Sequence, residues 1–84
     1  MTFIERNQMI LEAVAKYMAV HKKYTSSTAI LTDDEWQSYV NDMDAVAEEY
    51  KLTNMTDLSW KLCMAFLDDT ELMQKKLKEV GVKA

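Results

Sequence analysis

Apolar residues return at helical spacing in three stretches of this chain, separated by short polar runs. In the first stretch Phe3, Ile10, Val14, Tyr17 and His21 fall on one face, and Leu11 and Met18 widen it. Thr2 and Glu5 have the spacing of a capping box, in which each satisfies an amide that the first helical turn leaves unpaired. His21, Lys22 and Lys23 put positive charge at the far end, where the helix dipole favours it. The pattern predicts a helix over about 2–23.

Residues 24–31 read as a connector, because the hydroxyls of Thr25, Ser26, Ser27 and Thr28 compete for backbone groups. Ile30 and Leu31 are placed to tuck under the following helix as a staple. That helix is expected over about 33–51, opened by a second capping box at Thr32-Asp33-Asp34-Glu35. Trp36, Tyr39, Val40, Met43, Val46, Ala47 and Tyr50 form its apolar stripe.

After a connector at 52–56, Thr56 is expected to cap a third helix over about 57–67, with Asn54 as the rival cap. Leu58, Trp60, Leu62, Cys63, Met64, Ala65, Phe66 and Leu67 leave it a polar strip at Asp57, Lys61 and Asp68 only. A helix apolar nearly all round is expected at the centre of a fold, or covered on its second side by a partner. Asp68-Asp69-Thr70-Glu71 has the form of a further cap, so a break or kink is expected there, then a fourth helix over about 69–80. Leu72, Met73, Leu77 and Val80 would face inward. Gly81 suits the left-handed residue that ends a helix, with Val82 supplying the accompanying apolar contact.

Composition agrees with this reading. The chain has no proline and one glycine, the two residues most costly inside a helix. With 84 residues, 49% of them hydrophobic, it has material for one core and no second. The expected fold is all-α, a compact bundle of three to four helices in a single helical domain over 1–84. One cysteine leaves no internal disulfide, which fits a reducing compartment. No run approaches the roughly 20 apolar residues of a membrane span, and the first residues lack a secretory layout. A cytoplasmic protein is expected.

Charge changes the picture more than composition does. The net charge of −4 is uneven: residues 33–51 hold seven acidic side chains and one basic, whereas 2–23 hold four basic and two acidic. Asp34, Asp42, Asp44, Glu48 and Glu49 lie opposite the apolar stripe of the second helix. They are the candidate docking face for a basic protein surface, and the bland alternative is a solvated face that keeps the protein in solution. Trp60 and Met64, one turn apart and off the side of Leu58, Leu62 and Phe66, are candidate contact residues beside it. Seven methionines suit either an irregular core or an adaptable surface.

Residues for chemistry are sparse. Nucleophilic catalysis would need a base beside Cys63, and the only histidine is His21. Cys63 sits inside the most apolar run, where a small core residue is the simpler reading. Two such ligands make no zinc site, and Asn41-Asp42-Met43-Asp44 lacks the glycine and distal glutamate of a calcium loop. No glycine-rich loop exists to cradle phosphate, so no cofactor is expected. A helix-turn-helix contact with DNA would leave the third helix only Lys61 to present, in a chain whose one arginine is Arg6.

The expected function is therefore non-enzymatic: a protein-interaction module, a small acidic inhibitor or regulator that docks on a basic protein such as a nuclease. Small acidic phage or mobile-element proteins that block nucleases offer an analogy of size and charge alone. A structural or adaptor homodimer is the first alternative and a DNA-binding regulator the second, with direct nucleic-acid contact and membrane contact not expected.

Overall fold

The computed structural model describes residues 1–26 and 30–81. Among these, three helices form: α1 (Phe3–Thr25), α2 (Asp33–Glu49) and α3 (Thr56–Glu79), and each packs on the other two. Short connectors make α2 antiparallel to its neighbours and leave α1 and α3 parallel. Among the described residues no helix is long and apolar enough to cross a membrane.

The starts of α1 and α2 are where their sequences predict. Thr2 Oγ1 accepts the Glu5 amide at 3.1 Å, but its hydroxyl, not its amide, meets the Glu5 carboxylate, so α1 has half of the expected box, whereas Thr32 and Glu35 form the full reciprocal one. The start of α3 is not. Thr56 is its first helical residue rather than its cap, and Met55 takes the cap position without a side-chain hydrogen bond. The reason lies in the preceding turn, at Thr53 and Asn54. Thr53 Oγ1 accepts the Met55 amide at 3.1 Å inside the turn, and Asn54 is engaged by Arg6, so neither role falls to Thr56. Met55 is left pointing inward and fully buried.

The expected break at Asp68-Asp69-Thr70-Glu71 is also absent: α3 runs through it as one helix of 24 residues. Thr70 cannot cap because its hydroxyl is buried and committed to Tyr39. Asp68 and Asp69 simply line the exposed side, and no glycine or proline interrupts the ladder until Gly81. Gly81 ends the helix with φ +80°, as expected of that residue; Val82 lies outside the described residues, as do Ser27 and Thr28.

The core centres on Tyr17, Tyr39, Met43, Val46 and Cys63, with Trp36, Tyr24, Leu62 and Phe66 packed around it. Ala13 is fully buried, although so small a side chain adds little to the apolar pattern of α1. Phe3 and Leu11, expected on the inner face, are exposed: Phe3 lies in the first turn of α1, which runs past the start of α3, and Leu11 lies round the helix from Tyr17, on the side away from α2. Met73 and Val80 are exposed for the matching reason at the far end of α3, and Leu72 because it lies nearly opposite the inward Thr70. Ile30 is buried and Leu31 half-buried just before α2, where both line a hollow with residues of α1 and α3.

Two buried phenols tie α3 to the other helices. The Tyr17 hydroxyl donates to the Ser59 carbonyl at 2.9 Å and shares a 2.6 Å hydrogen bond with Ser59 Oγ. The Tyr39 hydroxyl shares a 2.9 Å bond with Thr70 Oγ1 and lies 3.1 Å from His21 Nδ1. Burial pushes both phenols above their ordinary pKa, so they remain neutral partners. No described buried side-chain N or O lacks a partner.

Tyr39→Phe should destabilise the fold by about 1–3 kcal/mol, because Thr70 Oγ1 would be stranded in the core. Adding Thr70→Val should recover part of that loss, since neither polar partner then remains. Urea unfolding followed by circular dichroism measures both; an uncoupled pair would refute the assignment.

Candidate functional site

The five candidate carboxylates do not share one surface. Asp42 and Glu49, seven residues apart on α2, meet Lys23 and Lys16, seven residues apart on α1. Lys16 Nζ lies 2.7 Å from Glu49 Oε2, and Lys23 Nζ lies 3.4 Å from Asp42 Oδ2. Tyr24 adds a 2.6 Å hydrogen bond from its hydroxyl to the same Asp42 oxygen. These acids therefore brace the α1–α2 seam while their side chains stay partly open to solvent, Glu49 at 53% and Asp42 at 39%. The matched seven-residue spacing on two antiparallel helices was a signal for this pairing in the sequence.

The electrostatics follow the geometry. The Tyr24 hydrogen bond, helped by Lys23, holds the Asp42 carboxyl below its ordinary pKa. Tyr24 is raised in return, chiefly by that bond. Lys16 is raised by its bond to Glu49 and then by Tyr50, whose ring centroid lies 5.2 Å from Nζ.

Asp44 and Glu48 lie on the other flank of α2, where it meets the start of α3. With Ala47, Lys51, Thr56 and Trp60 they line an open groove of about 440 Å³. Trp60 is 54% exposed, and Met64, one turn on, is 39% exposed. Glu48 has Lys51 at 3.8 Å, too long for a strong pair between exposed groups. Asp44 has no ion pair among the described residues; its Oδ1 lies 4.0 Å from Cys63 Sγ. Asp34 stands apart, exposed in the first turn of α2, roughly 15 Å along the helix from Asp44 at 1.5 Å per residue. The structure thus brings together Asp44, Glu48 and Trp60, keeps Met64 beside them on α3, and separates the other three acids.

Cys63 and His21 are drawn into different environments. Cys63 is buried, and burial first, then the charge of Asp44, pushes its thiol up in pKa. A thiol held protonated in this way is a poor nucleophile at neutral pH. His21 is half-buried, 5.2 Å from the Phe66 ring and bonded to Tyr39. It lines a second hollow, with Tyr24, Ile30, Asp69, Met73 and Leu77. No family model matches this chain, and no match was found among curated proteins or solved structures.

Because the folded-state pKa of Asp42 is depressed, its contribution to stability is present above 3.8 and lost as pH falls through the lower folded value. The stability difference between wild type and Asp42→Asn should therefore shrink between about pH 6 and about pH 2. Urea midpoints across that range measure it; a difference that stays constant would show that the carboxylate's charge plays no part.

Proposed function

We propose that the protein is a non-enzymatic interaction module that binds a basic protein surface through the groove between α2 and α3. One observation carries the reading. A half-exposed indole, Trp60, stands beside two carboxylates, Asp44 and Glu48, that have no strong partner within the described chain. An exposed tryptophan is costly unless something covers it, and tryptophan recurs at the energetic centres of protein interfaces. Carboxylates at the rim select a partner carrying lysine or arginine and speed the encounter. A partner guanidinium stacked on the Trp60 face would gain from both groups.

The more specific form of this reading is a small acidic inhibitor or regulator that occupies the nucleic-acid-binding surface of its target, a nuclease being the type of protein with such a surface. The local excess of acid on α2 supports it, with Met64 as adaptable contact material and Asp34 as an outlying charge. A buried, protonated cysteine fits the reducing interior where such a target would be met.

The test is a tagged pull-down from the cells that make the protein. Asp44→Lys with Glu48→Lys, and separately Trp60→Ala, should each lose the captured basic protein by tenfold or more while helical content persists. Asp34→Lys should lose at most a few-fold. Asp42 and Glu49 are unsuitable for reversal, because lysine there would face Lys23 and Lys16 within the fold. Capture that survives both groove variants would sink the proposal.

A further inference from the structure

The face that α1 and α3 present away from α2 carries two matched apolar stripes. On α1, Lys16 and Lys23 turn toward α2, and Tyr17 and His21 turn toward α3. Ile4, Leu11 and Met18 lie a further step round the helix in the same sense. On α3, Cys63 and Thr70 turn toward α2, and Ser59 and Phe66 toward α1. Leu58, Ala65 and Leu72 lie beyond those, so both stripes border the same side of the α1–α3 seam. Each repeats every seven residues, the spacing that keeps a row of side chains facing another helix. Ile4 is 82%, Leu11 65% and Leu72 50% exposed.

The molecule exposes more surface than its mass requires. The chain exposes 5951 Å². A compact monomer of 9.8 kDa would expose about 5,200 Å². The surplus, about 800 Å² over the whole elongated molecule, is of the order that one partner contributes to an interface of standard size. The radius of gyration, 14.5 Å, likewise exceeds the roughly 12 Å of a compact chain of this length.

Charge indicates what supplies the cover. The acidic helix α2 lies on the opposite side, so two copies meeting through α1 and α3 keep their acid-rich helices apart. The α1 stripe is bordered between Ile4 and Met18 by Asn7, Gln8, Val14 and Ala15, none of them charged. The α3 stripe is bordered by Lys61, Asp68, Asp69, Lys75 and Lys76, charges of both signs, so the whole face favours neither a strongly basic nor a strongly acidic partner and can pair opposite charges across a two-fold axis. We infer that the α1–α3 face is a self-association surface, on which a second copy of this chain packs its own α1–α3 face to form a symmetric dimer. This surface is separate from the Trp60 groove, so a dimer would carry two grooves.

Sedimentation equilibrium or light scattering of the intact chain at about 100 µM tests this. Wild type should show twice the 9.8 kDa chain mass. Leu11→Glu with Leu72→Glu should halve it while circular dichroism stays helical, and the milder Leu11→Ser with Leu72→Ser should raise the dissociation constant at least tenfold. Asp44→Lys with Glu48→Lys should remain dimeric, which separates this result from failure of the groove. A wild-type monomer at that concentration, or a dimer that survives both stripe variants, would overturn the inference.

Discussion

A buried phenol must find a hydrogen-bond partner or cost the fold the full desolvation of its hydroxyl. Tyr17 and Tyr39 each impose that condition on α3, and α3 meets it with Ser59 and Thr70. The inner edge of α3 is consequently Ser59, Cys63, Phe66 and Thr70, a row of mostly small or polar side chains, rather than the leucines beside it. This explains why the helix does not break. Thr70 is consumed in the core, and the carboxylates around it are left as ordinary exposed residues on a continuous helix. It also explains the half-exposed Trp60 and Met64: once Ser59 and Cys63 face inward, their neighbours on one flank must turn out.

The same logic divides the acids of α2. Side chains at the edge of the inner face reach a neighbouring helix, and those at Asp42 and Glu49 find lysines there at matching spacing. Exposed pairs of this kind contribute little energy each, about 0.2–1 kcal/mol. Two in register, with Tyr24 bonded to Asp42, help to fix the sliding position of α1 against α2. What remains for a partner is the smaller set beside Trp60. A surface that looks uniformly acidic along the sequence is thus part brace and part groove.

The stagger of the helices connects the groove to the proposed dimer face. Parallel α1 and α3 overlap only over part of their lengths, and the molecule extends 49 Å along its long axis against 20 and 17 Å across. Each overhang leaves apolar side chains uncovered, at Phe3 on one end and Met73 on the other. A three-helix core this thin, resting on few fully buried side chains, gains the most from a partner that covers such a face.

The chain by itself determined the helical class, the capping box at Thr32 and the left-handed stop at Gly81. Each depends on side chains within a few residues, and local spacing carries that information. The prominence of Trp60 and Met64 was also legible, as apolar residues off the stripe they accompany. Only the tertiary structure decided which face of α3 is inside, which acids of α2 are spent on α1, and whether Thr56 and Thr70 cap a helix or serve a neighbour. Those outcomes depend on where a tyrosine hydroxyl or a lysine from a distant segment arrives, and a threonine with a core partner has the same sequence neighbourhood as one with a helix to cap.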